Sequence, residues 1–176
     1  MSEYRKTATG ELYFVTLTVA GWVDVFSRKE YKDILIENLK YCQEKFNLEI
    51  FSYVIMTNHL HLISRRQDGE LTELLGRFKS YTAKKIIEEI ENNPQESRKD
   101  WLLNVFEHFA KSNKQYSRYH FWNYINHPVT LHSARVIDQK VDYIHQNPVR
   151  AGIVSEPEYY MYSSACADSP LKVSEL

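Results

Sequence analysis

Residues 14–19, Phe-Val-Thr-Leu-Thr-Val, alternate apolar and polar side chains with a period of two, the signature of a strand with one buried face, and Gly21-Trp22 breaks the pattern. From Glu30 to Phe46 the apolar residues Ile34, Leu35, Leu39, Tyr41 and Phe46 recur among charges as on an amphipathic helix. Leu48 to Met56 is rich in β-branched and aromatic residues, and Thr57-Asn58 leads directly into a second strand-like run, His59 to Ser64, which predicts a hairpin. Leu71, Leu74, Leu75, Phe78, Ile86, Ile87 and Ile90 predict a long helix that Asn92-Asn93-Pro94 stops. The aromatic segment from Phe121 to Ile125 predicts a fourth strand, and Ser133 is placed to cap a further helix running through Tyr143.

Strand, helix, two strands, helix, strand is the order of an α+β fold. It predicts a ferredoxin-like, or RRM-like, antiparallel βαββαβ sheet with two helices on one face, the other face available, and an added C-terminal helix bearing Tyr143. At 176 residues and 43% hydrophobic content the chain suits one core. A single domain is expected over residues 1–164, with a small, polar, fraying tail at 165–176.

Charge changes this picture little. Lys and Arg total 22 against 23 Asp and Glu, a formal net charge of −1, so any polyanionic partner has to be held by a local patch. Cys42 and Cys166 have no ligand spacing, and the opening Met-Ser-Glu-Tyr-Arg-Lys is not an apolar signal region, which points to a cytoplasmic protein with free thiols. No apolar run approaches the roughly 20 residues that span a bilayer. Thirteen tyrosines and three tryptophans suit either a base-stacking surface or a packed core.

The chemistry concentrates in two places. With seven histidines, a chance His-x-His pair arises in roughly 0.3 of such chains, so spacing alone says little. Here, however, His59 and His61 alternate with Leu60 and Leu62 in a strand-like run. Residues i and i+2 of a strand share a face, so both imidazoles point one way and can chelate one divalent ion while the leucines enter the core. In the last helix, Ile137, Val141 and Ile144 form a buried stripe, which places Val136, Lys140, Tyr143 and Asn147 on an adjacent face. A phenol at Tyr143 is a candidate nucleophile for phosphorus, and the Asn147 carboxamide, one turn on, could reach the same ion. Two imidazoles and an amide oxygen leave positions open for phosphate and water, and the expected cofactor is Mg²⁺ or Mn²⁺. Ordinary packing roles compete at each position, because tyrosines are abundant and Asn147-Pro148 is a common helix-ending pair.

Taken in order, Tyr4-Arg5-Lys6, His59-Leu60-His61, Phe78-Lys79-Ser80-Tyr81-Thr82, Phe121-Trp122, the segment from Tyr143 to Val154 and Tyr162-Ser163-Ser164 resemble the single-tyrosine HUH transposases (IS200-like), and within them the REP-associated tyrosine transposases. The resemblance implies an endonuclease and strand transferase for single-stranded DNA folded into imperfect hairpins. His59 and His61 match the metal-binding pair, Tyr143 the nucleophile, and Asn147 the third ligand, for which Gln146 or Gln139 are substitutes. The implied product is a 5′-phosphotyrosine and a 3′-hydroxyl, which a second 3′-hydroxyl can rejoin. REP-associated members act alone and insertion-sequence relatives as dimers, so both monomer and homodimer stay open.

Phosphate contacts are expected from Arg65, from Lys79 and Lys84 on the long helix, and from Lys114 and Arg118, where cations interleave with aromatics. Arg5 and Lys6 resemble the family segment that reads bases beside the hairpin. The competing reading is a non-catalytic single-strand-binding module that uses an open, RRM-like sheet face.

Overall fold

The computed structural model describes residues 7–111, 118–124, 126 and 128–176. Its sheet contains β1 (Tyr13–Thr18), β2 (Leu48–Ile55), β3 (His59–Arg66) and β4 (Val129–Thr130), in the order β2-β3-β1-β4. All pairings are antiparallel. This is the expected ferredoxin-like order. Helices α1 (Lys29–Phe46) and α2 (Leu71–Asn92) fall where periodicity places them, and α1 ends at Asn47 in the left-handed region, φ 49°. Val15 and Leu17 of β1 and Leu60 and Leu62 of β3 are fully buried and join the apolar sides of these helices in one core.

Helix α3 (Lys99–Lys111) was not expected. Its buried residues Leu102, Phe106 and Ala110 lie four apart, a stripe that flanking charges obscure in the sequence. The fourth strand also differs from expectation. Phe121 and Trp122 are buried, yet the segment makes only an isolated bridge from Trp122 to Val19, with Ala20 N–H donating to Phe121 O (2.8 Å) and Asn123 N–H to Thr18 O (2.8 Å). The regular pairing with β1 falls later, at Val129–Thr130. The aromatics serve packing: Phe121 meets Phe26 and Phe106, and the Trp122 indole donates to Thr82 Oγ1 at 3.1 Å.

Helix α4 (Ala134–Arg150) is capped by Ser133 and runs past Pro148 to Gly152, whose φ of 69° ends it. It lies across the sheet face that carries Phe14, Ser52 and His61. The face that a bare ferredoxin-like sheet would expose is therefore partly covered.

Residues 165–176 correct the expectation of a fraying tail. Leu171 is buried, Ser169 Oγ lies 2.6 Å from Tyr53 Oη, Gln43 donates to Lys172 O (3.0 Å), and Ser174 N–H donates to Ile50 O (2.8 Å). With Tyr162–Ser164 bonded to Tyr53 and Ile55, this segment covers the outer edge of β2. Leu171→Ala should lower unfolding free energy by about 2–5 kcal/mol, read as an earlier urea midpoint with an unchanged slope. An unmoved midpoint would show that the tail contributes nothing to the fold.

Candidate active site

The site is built by the β1–β3 register. Thr16 is opposite His61 and Thr18 opposite His59, so the two imidazoles project from the same face as Phe14 and Thr16. Their ring centroids are 4.6 Å apart at an interplanar angle of 73°. His61 is buried and His59 half-buried.

Each ring is held at Nδ1. Thr16 Oγ1 lies 2.9 Å from His61 Nδ1, and Asn58 Oδ1 lies 2.6 Å from His59 Nδ1. An amide oxygen can only accept, so His59 carries its proton on Nδ1 and turns the Nε2 lone pair away. His61 Nε2 is buried without a hydrogen-bond partner, an unsatisfied atom in an otherwise well-bonded site. Asn147 donates its Nδ2 to Tyr143 O (3.3 Å), and burial lowers the pKa of His59 although the neighbouring Asn147 side chain acts in the opposite sense. Among the described residues no group of three or more His, Cys, Asp or Glu is placed to hold a metal ion.

Tyr143 completes the cluster. Its ring is edge-on to His61 at 5.2 Å between centroids and to Phe14 at 5.9 Å. The Lys140 ammonium lies 5.5 Å from the tyrosine ring and 4.5 Å from that of Phe14, while Arg150 Cζ is 5.7 Å from Tyr143. Helix α4 is fastened by His145, whose Nε2 is 2.9 Å from Ser164 Oγ and 3.4 Å from Ser52 Oγ. His59, His61, Tyr143 and Asn147, selected from sequence, are brought together within one chain. Lys140, Thr16 and Asn58 were not singled out as site residues. Lys140 had a signal, its place on the face shared by Tyr143 and Asn147, and Thr16 had another, its place on the polar side of β1.

The candidate phosphate contacts are scattered. Arg5, Lys6 and Lys114 lie outside the described residues. Arg65 is bonded to Glu49 and stacks on Phe51 at 5.1 Å. Lys84 is exposed on α2, and Arg118 is exposed beside Tyr119 (4.8 Å), with Glu91 at 4.0 Å. Lys79 requires a correction. Its ammonium donates to Asn123 O (2.6 Å), Tyr124 O (3.3 Å) and Asn126 Oδ1 (2.9 Å), and burial lowers its pKa to about 8. It holds the loop after Trp122 and is not presented to a phosphate.

A ferredoxin-like sheet thus places an imidazole pair beside a phenol and a carboxamide carried on a packed helix. The family follows from a direct match. The family model described as "Transposase IS200 like" matches residues 13–104, more than half of the chain, and the chain belongs to that family. Tyr143 and Asn147 lie beyond the matched residues. A solved REP-associated tyrosine transposase bound to a REP hairpin shares the fold, with a TM-score of 0.65 and 18% identity over 93% of this chain and 82% of that one. A structure from Deinococcus radiodurans, titled as a candidate transposase, aligns at 16% identity over 82% of this chain and 95% of that one; at a TM-score of 0.46 the likeness is weak. No curated protein matches the chain.

Burial, with the neighbouring His59 and Lys140 adding to it, lowers the pKa of His61 to about 3. In chelator-treated protein His61 stays neutral while an unfolded imidazole protonates below about 6.5, so stability present above that pH is lost as pH falls toward 3. The slope from this one residue approaches about 1.4 kcal/mol per pH unit, and His61→Gln should remove it in urea unfolding measured between pH 6.5 and 4.5. Identical slopes in both proteins would contradict the neutral, buried imidazole.

Proposed function

We propose that this transposase-family protein is a divalent-metal-dependent endonuclease and strand transferase for single-stranded DNA, acting on hairpin-forming repeats through a 5′-phosphotyrosine at Tyr143. The observation that carries the reading is the meeting, in one chain, of Tyr143 with His61 and of Asn147 with His59. The fold shared with a REP-associated transposase bound to a REP hairpin supports the choice of DNA. No helix among the described residues is long and apolar enough to cross a membrane.

His59, His61 and Asn147 would hold Mg²⁺ or Mn²⁺, which when bound neutralises charge on the oxygens of the scissile phosphate. The three donors are uncharged, so the phosphate itself completes the charge balance. Tyr143 Oη forms the new bond to phosphorus as the bond from phosphorus to O3′ breaks, and the phenolic proton is replaced on the departing 3′-oxygen by way of solvent. Lys140 and Arg150 flank the tyrosine ring, where positive charge favours both the approaching phosphate and a developing phenolate. Because the ester energy is retained, a second 3′-hydroxyl reverses the step and joins strands. Arg65, Lys84 and Arg118, with Lys114, supply contacts to the DNA backbone, and Arg5 and Lys6 read bases beside the hairpin.

Placing nucleophile and ligands in one chain supports action in cis, which a monomer can perform. The alternative of a non-catalytic sheet-face binder has less support, because α4 occupies the face such a module keeps open.

Incubated with Mn²⁺ and a labelled hairpin oligonucleotide, the wild type should form a denaturation-resistant adduct. Tyr143→Phe should abolish it while leaving hairpin affinity within about threefold, and chelation or His61→Ala should reduce adduct yield at least about 100-fold. An adduct that persists in Tyr143→Phe would exclude this tyrosine, and one that forms equally with chelator would exclude the metal.

A further inference from the structure

Trp22 is a large apolar side chain in the wrong place for packing. It is 65% exposed, and its backbone sits in the left-handed region at φ 56°, a conformation unfavourable for a bulky residue. Gly21 beside it is also left-handed, φ 66°, and packs so closely on α3 that an added Cβ would lie 2.6 Å from the Phe109 ring. The turn is tied on every side: Trp22 N–H donates to Val19 O (3.1 Å), Ala20 N–H to Phe121 O (2.8 Å), and Asn58 Nδ2 to Trp22 O (3.2 Å). An exposed indole is thus carried on a strained turn whose backbone is tightly anchored.

Its position gives the strain a use. The Trp22 ring is edge-on to His59, 6.3 Å between centroids, and the same Asn58 side chain that fixes the Trp22 carbonyl also fixes His59 Nδ1. Tyr143 touches the other histidine, His61. Since the two histidines are successive residues on one face of β3, Trp22 and Tyr143 flank the pair from opposite ends. Displacement at phosphorus runs in line, with attacking and leaving oxygens on opposite sides. With the scissile phosphate held over the histidine pair, as the nuclease reading has it, the nucleotide that departs with its 3′-hydroxyl would leave on the side of Trp22.

We propose that Trp22 is the stacking platform for the unpaired base immediately 5′ of the scissile phosphate. The assignment rests on the nuclease reading above. Every base has a π-face, so the platform holds the departing strand close without selecting its sequence, and keeps its 3′-hydroxyl near the phosphotyrosine for rejoining.

The test uses the full chain with Tyr143→Phe, which binds without cutting, and synthetic hairpins from imperfect palindromes flanking the gene. A single abasic residue is walked along the unpaired flank. One position should weaken binding about tenfold in Tyr143→Phe and have no effect when Trp22→Ala is added, while Trp22→Phe keeps the sensitivity. That position should be the one just 5′ of the cut mapped with wild-type protein. Matching circular dichroism and melting show that the exposed substitution leaves the fold intact. Equal sensitivity with and without Trp22 at every position, or a sensitive base 3′ of the cut, overturns the platform. A normal wild-type adduct with no Trp22-dependent position sinks the platform alone, whereas no adduct at all sinks the nuclease reading and, with it, the assignment of a side.

Discussion

The pairing of β1 with β3 is the constraint on which the rest depends. Thr16 opposite His61 sets the side to which both imidazoles point, supplies the hydroxyl that holds one of them, and sends Leu60 and Leu62 into the core. A slip of one residue would drive two imidazoles among the leucines and expose the leucines beneath α4. Burial of Val15, Leu17, Leu60 and Leu62 resists that slip, at about 1.5–3 kcal/mol for each fully buried side chain. The geometry of the chemistry is thus enforced by apolar side chains that never touch it.

Much of this was legible because it is periodic. Alternation in residues 14–19 and 59–64 reveals strands, and it also reveals that His59 and His61 share a face, since one rule governs both. Helical spacing put Tyr143 and Asn147 one turn apart. What escaped depends on partners distant in the chain. Lys79 looks like a surface cation on α2, and nothing near it announces the carbonyls of residues 123 and 124, which occupy its ammonium. The aromatic run at 121–125 reads as a strand because aromatics favour strands, yet Phe121 and Trp122 are there to fill a gap between Phe26, Phe106 and Thr82. The tail at 165–176 looks dispensable until Leu171 and Ser169 are seen against Tyr53 and its neighbours.

Electrostatics follow the same division between global and local. The chain is almost neutral, and several of its cations are already matched: Arg65 with Glu49, Arg66 with Asp68 and Glu73, Arg28 with Glu96, Arg98 with Asp24. Long-range attraction for a polyanion is correspondingly weak. Around Tyr143, however, Lys140 and Arg150 add positive charge beside neutral donors. On the proposed function, selection of a DNA substrate then rests on short-range fit at the site.

The fastening of α4 bears on the step proposed for Tyr143. His145 binds the helix to Ser52 of the sheet and to Ser164, which itself accepts from Tyr53 N–H at 3.0 Å. A strand joined to Tyr143 would ride on a helix bolted to its own sheet, with no swinging arm to carry it elsewhere. On that proposal the travelling in any exchange of ends falls to the nucleic acid, and the distance over which two ends can be joined becomes a property of the DNA's flexibility.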